Sequence, residues 1–154
     1  MKRLILFFFA QLFIGFFVSC KAENQVSIKI MNENSNPISG HKLKIKVGDK
    51  VFTATLLDNA TSKAFVAQLP LTIKMNELNN NEKFASLPQN VPTNATVPSS
   101  IQAGDLMMYG SSTLVLFYRG FSTSYSYTKI GKIDDVTGLV AALGTDDVTV
   151  SFEL

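Results

Sequence analysis

The sequence predicts a mainly β domain of about eight strands with two short helices. Three observations carry that reading. Apolar residues alternate with polar ones along most of the chain beyond residue 25, the period of strands that bury one face. Two such runs flank a two-residue Gly48-Asp49 turn, the strongest hairpin signal present. Helical spacing of apolar residues, by contrast, is confined to two short segments.

The N-terminus stands apart from this pattern. Met1-Lys2-Arg3 is a short positive segment, Leu4 to Val18 is an apolar run broken by Gln11, and Ser19 precedes Cys20. This is the layout of a secretory signal peptide, and the run falls short of the roughly 20 apolar residues that span a bilayer. The domain organisation expected is therefore a signal over residues 1–19, a tether over 20–25 and one domain over 26–154.

Val26, Ile28 and Ile30 alternate with Ser27 and Lys29, which predicts a first strand. Asn32 to His41 is rich in Asn with Pro37 and Gly40 and reads as a loop, with His41 at its surface. Leu43, Ile45 and Val47 alternate with Lys42, Lys44 and Lys46, and Phe52, Ala54 and Leu56 with Thr53 and Thr55. The lysine row is read as the solvated side of a strand. Asp58-Asn59 offers an N-cap for a helix through Ala60, Ala64, Phe65 and Leu69 that Pro70 ends.

Leu71 to Met75 reads as a strand, whereas Glu77 to Gly104 shows no sustained period and carries Asn79-Asn80-Asn81, Pro88, Pro92 and Pro98. A stretch that long is either a binding loop or a cover over a sheet edge. Strand signals return at Asp105 to Tyr109, Thr113 to Tyr118, Tyr125 to Ile133 and Val148 to Phe152. Leu114-Val115-Leu116-Phe117 is apolar on both alternating faces and should be covered on each side. Between the last two strands Asp134-Asp135 can cap a short helix through Leu139, Val140, Ala142 and Leu143 that Gly144 terminates.

Charge and composition exclude several classes of function. Of 14 Lys+Arg against 12 Asp+Glu, residues 1–19 hold two positive charges and no negative one, so the remainder is neutral. A basic nucleic-acid binder is disfavoured. One Cys and one His leave too few ligands for a His/Cys metal set and little for a Ser-His-Asp triad, and neither a metal nor a cofactor is expected. Asp134-Asp135 and Asp146-Asp147 sit where caps and turns want Asp, and neighbours on a strand point to opposite faces.

The segment Gly110 to Thr128 is different. It holds eight Ser or Thr beside Tyr118, Phe121, Tyr125 and Tyr127, with Tyr109 just before it and Arg119 as its one charge. Aromatic faces supply contact area, hydroxyls orient a ligand, and a guanidinium grips a carbonyl or carboxylate through two parallel hydrogen bonds. Tyr109, Phe117, Arg119, Phe121, Ser124, Tyr125 and Tyr127 are the candidate residues for a peptide or small polar ligand. Ser, Thr and Tyr are also good strand formers, so the same composition suits plain strands.

Two resemblances add to this. Phe17-Val18-Ser19-Cys20 resembles the lipobox of bacterial lipoproteins, with Phe17 where Leu is usual. That implies lipidation of Cys20, a membrane-anchored protein of the cell envelope, and an explanation for the single cysteine; an ordinary cleaved signal with an incidental cysteine is the alternative. Further along, Phe52-Thr53-Ala54-Thr55-Leu56 with Asn59, Leu69-Pro70-Leu71, Asn81-Glu82-Lys83, Leu87-Pro88, Ala103-Gly104-Asp105-Leu106-Met107, Gly110 to Tyr118 and Ser124 to Gly131 resemble the bacterial cyclophilin-like domains. That resemblance implies a closed, mostly antiparallel eight-stranded barrel with helices at its openings.

Cyclophilins proper are peptidyl-prolyl isomerases, with an arginine in a Phe-His-Arg run and a late His by the proline pocket. This chain has neither of those, nor any Trp, and Arg119 lies on a different part of the pattern. The fold carries over and the catalytic residues do not. The expected function is a membrane-anchored peptide- or small-ligand-binding module. A prolyl isomerase of the envelope and a partner-docking domain are the alternatives.

Overall fold

The computed structural model describes residues 42–154; the expected signal, tether, first strand and Asn-rich loop, with Cys20 and His41, lie outside the described residues. The hairpin predicted around Gly48-Asp49 joins β1 (Lys42–Val47) to β2 (Lys50–Leu56), with Val47 paired to Lys50. Gly48 takes φ 56° at the first central position of this turn, where II′ hairpin turns need glycine. Along β1 every lysine is exposed and every apolar residue buried. Lys42 pairs with Asp134 at 2.9 Å; the row as a whole is a solvated strand face.

Helix α1 (Ala60–Val66) starts at Asn59, whose side chain accepts the Ser62 N–H at 2.8 Å and donates to the Lys129 carbonyl at 3.0 Å. One residue thus caps the helix and fastens it to the sheet. After it come β3 (Leu71–Leu78), β4 (Glu82–Ser86), β5 (Asp105–Tyr109), β6 (Thr113–Phe117), β7 (Thr128–Ile133), α2 (Leu139–Leu143) and β8 (Val148–Glu153). All neighbours are antiparallel and the sheet closes in the order β1-β2-β7-β5-β6-β4-β3-β8.

The eight strands of this barrel are not the eight that alternation predicts, because β4 falls inside the stretch that has no period. Glu82 and Lys83 are both charged and both buried, so the polar-out signature is absent there. The usable signal was the turn before it. Asn79 and Asn80 have φ of 55° and 54°, and the Asn81 N–H closes the turn on the Leu78 carbonyl at 3.2 Å. Asparagine tolerates that left-handed backbone, and two such residues in sequence mark a mirror-image hairpin turn. Other boundaries differ as well: β3 runs on to Leu78 rather than ending at Met75, and α1 ends at Val66 rather than at Leu69. β7 begins at Thr128 rather than Tyr125. Helix α2 begins after Gly138, while Asp135 accepts the Thr137 N–H at 2.9 Å in the turn before it.

Period two divides the apolar residues between two clusters. Inside the barrel lie Leu43, Ile45, Leu56, Leu106, Met108, Leu114, Leu116, Val150 and Phe152, joined by Phe65 of α1 and by Leu139 and Leu143 of α2. Phe65 meets the edge of Phe152 with ring centroids 5.9 Å apart. Met107, Val115 and Phe117, the alternate residues of β5 and β6, point outward and form a second cluster with Ile101 and Tyr127. The sequence reading of Leu114 to Phe117 as a strand covered on both faces holds.

A buried ion pair fastens β3 and β4 to the connection between α2 and β8. Lys83 has no solvent exposure and its ammonium pairs with the Glu77 carboxylate. It also donates to the carbonyls of Gly144 at 3.2 Å and Asp146 at 2.7 Å. The Tyr118 hydroxyl lies 2.8 Å from both oxygens of Glu77. Burial pushes the Glu77 carboxyl up, but the hydrogen bonds from Lys83 and Tyr118 and the charge of Lys83 outweigh it and hold it below its ordinary value. Burial, then the bond to Glu77, push the Tyr118 phenol up to about 12.

Removing Lys83 leaves a partly buried Glu77 that keeps its bonds from Tyr118 and Asn80, so Lys83→Met is expected to lower stability by about 1.5–3 kcal/mol at neutral pH, the scale of a charge-assisted hydrogen bond, read by urea unfolding. A depressed carboxyl stabilises above its unfolded value and ceases to do so as pH falls through its folded value. The wild type should therefore lose stability below the ordinary 4.5 of Glu77, and Lys83→Met should lose less over the same range. Equal acid slopes would exclude the pair as a source of stability.

Candidate functional site

The outward cluster is the floor of a cleft of about 640 Å³ on the outside of the barrel. Strand register sets its walls. Glu82 pairs with Phe117, Phe84 with Val115, Ser86 with Thr113, and Tyr109 with Thr113 from the other side. Alternation therefore places Glu82, Phe84, Val115, Thr113 and Tyr109 on one outer face. Leu78, Asn79 and Asn81 of the β3–β4 turn close one side, and Phe121 to Tyr125 with Tyr127, from the segment between β6 and β7, close the other.

Five rings run continuously across the cleft and its floor. Tyr125 meets Tyr109 edge-on at 6.1 Å, Tyr109 lies 5.7 Å from Tyr127, Tyr127 meets Phe117 edge-on at 5.4 Å, and Phe117 lies 5.7 Å from Phe121. Such offset and edge contacts are the favoured aromatic geometries. The series grades from inside to outside, since Phe117 is fully buried and Tyr127 is 7% exposed while Tyr109 and Tyr125 are 49% and 62% exposed. The exposed pair forms a lip, and the buried pair holds it in place.

Residues 87–104 do not line the cleft; they form a strap that fixes it from behind. The Leu87 and Val91 N–H groups bond to Ser112 and Ser111 carbonyls at 2.7 and 2.8 Å. Thr96 pairs with Tyr127 and Ile101 with Phe121 as isolated antiparallel bridges. Each bridge holds the backbone of a cleft aromatic. The long aperiodic stretch from Glu77 to Gly104 thus divides: residues 78–84 contribute to the cleft lining, and residues 87–104 brace the segments beside it.

Of the seven candidate residues, the structure brings Tyr109, Phe121, Ser124, Tyr125 and Tyr127 together in the cleft wall and sets Phe117 directly beneath them. Arg119 does not line the cleft and is exposed. The chain leaves the sheet after Phe117, where the Tyr118 and Arg119 N–H groups both point to the Asn81 carbonyl at 2.9 and 3.3 Å. Strand alternation no longer governs side-chain direction there. The charge the cleft does contain is Glu82, which lies in the Asn81-Glu82-Lys83 piece of the resemblance but is not among the seven candidates, because β4 carries no alternating period to place it on a face.

Glu82 is 7% exposed, and among the described residues its carboxylate has no hydrogen-bond or ion-pair partner. Burial, and then the nearby charge of Glu77, push its carboxyl above the ordinary value. Burial and next the charge of Glu82 push the Tyr127 phenol up to about 12. Asn81, at the same wall, has a buried side-chain oxygen that no donor reaches.

Residues 45–153 match the model of the Cyclophilin-like family, and the chain belongs to that family. The solution structure of the hypothetical protein AF2241 from Archaeoglobus fulgidus is similar in fold, with a TM-score of 0.53 and 17% sequence identity over 75% of this chain and 95% of that one. No curated protein matches the chain.

A carboxyl whose pKa is raised on folding costs stability once pH exceeds its unfolded value, and costs nothing where both states are protonated. Glu82→Gln should therefore stabilise the protein at pH 7, with the gain fading as pH falls through the raised folded value toward the ordinary 4.5 and gone below it. Urea midpoints across that range test this. A destabilised variant at pH 7 would mean that the carboxylate has a partner after all.

Proposed function

We propose that this protein is a ligand-binding module of the cell envelope whose site is the outer aromatic cleft. The observation that carries the reading is the continuous series of five rings, in which buried Phe117 and Tyr127 connect the exposed Tyr109 and Tyr125 to the partly buried Phe121. Exposed tyrosines braced by buried neighbours offer contact area at little entropic cost, because their rotamers are already restricted. The volume of the cleft suits a small molecule or one to two side chains of a peptide. Thr113, Ser122, Thr123 and Ser124 add hydroxyls around the rim. Binding is favoured over prolyl isomerisation because the lining holds no arginine to weaken amide resonance.

The reading is tested by ligand-observed NMR with a library of small polar aromatics and blocked dipeptides, wild type against Tyr125→Ala. Tyr125 packs on Tyr109 and is otherwise exposed, so its removal should leave the fold intact and weaken cleft ligands roughly tenfold, the scale of one lost aromatic contact of about 1.4 kcal/mol. Hits that survive Tyr125→Ala undiminished and map elsewhere on the barrel would retire the cleft.

The envelope part of the proposal rests on the N-terminal sequence. A thioether-linked lipid on Cys20, with further acyl chains, would anchor the domain where a single chain binds only marginally. Cys20→Ser is expected to remove the mass of the lipid and move the protein from the detergent phase to the aqueous phase. Unchanged mass and partitioning would sink the lipoprotein reading while leaving the cleft untouched.

A further inference from the structure

The cleft is charged with one sign only. Among the described residues Glu82 is the one acidic residue of its lining, and no lysine, arginine or histidine accompanies it. The candidate counter-ions nearest in sequence are committed or turned away. Lys83 points to the opposite face of β4 by strand alternation, where Glu77 and two carbonyls take its ammonium. Arg119 is exposed outside the lining. The side-chain oxygen of Asn81 at the same wall also lacks a donor. What the cleft presents is one carboxylate without a donor, on a wall shared with Tyr109, Tyr125 and Tyr127.

We propose that the cleft binds an alkylammonium group, carried by a free organic amine or by a lysine side chain, with Glu82 as its counter-ion and the tyrosine rings as its walls. This rests on the cleft being the ligand site proposed above and names the chemistry of what enters it. A cation is attracted to an aromatic face by the ring quadrupole, more strongly where water is excluded. It would also supply the donor that Glu82 lacks, and so relieve the cost of holding a carboxylate away from water. An anionic ligand meets the Glu82 charge head-on at low dielectric. A metal ion is poorly served, since hard cations take six or more oxygen ligands and no group of three or more His, Cys, Asp or Glu among the described residues could hold one. The raised carboxyl of Glu82, unopposed by any positive neighbour, is the state that an arriving ammonium would reverse.

The test uses matched pairs that differ in charge and little in shape, titrated into the full chain in non-ionic detergent while tyrosine ring signals are followed by NMR. One pair is 2-phenylethylamine and 2-phenylethanol; the other is a blocked Ala-Lys-Ala peptide and its norleucine counterpart. The cationic member should shift the Tyr109, Tyr125 and Tyr127 signals and bind about tenfold more tightly than its neutral partner, the scale of one partly buried charge contact. Whichever pair shows the larger ratio names the source of the ammonium. Glu82→Gln should abolish the ratio, and Tyr109→Leu, at a half-exposed position that keeps an apolar wall, should narrow it. Neutral members that bind as well as cations, or a ratio that survives Glu82→Gln, would overturn the charge assignment and leave the cleft as a site for neutral ligands. If no probe moves the ring signals the assignment also falls, and the cleft itself falls only if the library screen finds no ligand there either.

Discussion

Met107, Val115 and Phe117 make the centre of the outward face of β5 and β6 apolar as well as the inward face, and the need to keep both from water organises this half of the molecule. Inside, Leu106, Met108, Leu114 and Leu116 fill the barrel; outside, Met107, Val115 and Phe117 would face solvent if nothing lay over them. A half-buried sheet needs one core, and a strand apolar on both faces needs two. The strap over residues 87–104 and the aromatic segment before β7 supply the second cover. Ile101, Phe121 and Tyr127 complete it, held by the two isolated bridges. The cleft lies where that cover stops short of β4.

The same geometry explains why the two adjacent charges of β4 have such different fates. Glu82 and Lys83 are one residue apart, so the pleat sends one to the outer cleft and the other into the barrel. Lys83 is met there by a carboxylate and two carbonyls, and becomes a fastening between the β3–β4 hairpin and the start of β8. Glu82 is met by rings and by nothing that donates a hydrogen bond. A charge held without a partner weakens the fold that holds it, which is the physical ground for reading it as part of a site rather than part of the scaffold.

Membership of the Cyclophilin-like family accounts for the barrel and does not carry an activity with it. The positioning of the aromatic series is a property of register: Tyr109 stands opposite Thr113, and the rings that follow reach the same face through a segment outside any strand. The cleft is therefore built by two means, a strand face that fixes its floor and an irregular segment that shapes its wall.

Much of the scaffold was legible in the linear sequence because its signals are local. The β1–β2 hairpin is written in alternation and in Gly48, the first helix in the Asn59 cap, and the doubly covered strand in Leu114 to Phe117. Five cleft residues were also legible from composition, since Tyr109, Phe121, Ser124, Tyr125 and Tyr127 lie in one aromatic, hydroxyl-rich stretch. Tertiary structure alone decided the rest. β4 escaped detection because its buried residues include a Glu and a Lys, whose burial depends on partners and cover distant in sequence. Arg119 lies just past the end of β6, where the chain turns at the Asn81 carbonyl, and it is exposed outside the cleft lining. The sign of the cleft's charge followed from that exchange of Arg119 for Glu82, a matter of which strands are neighbours, and alternation along one strand carries no information about its neighbours.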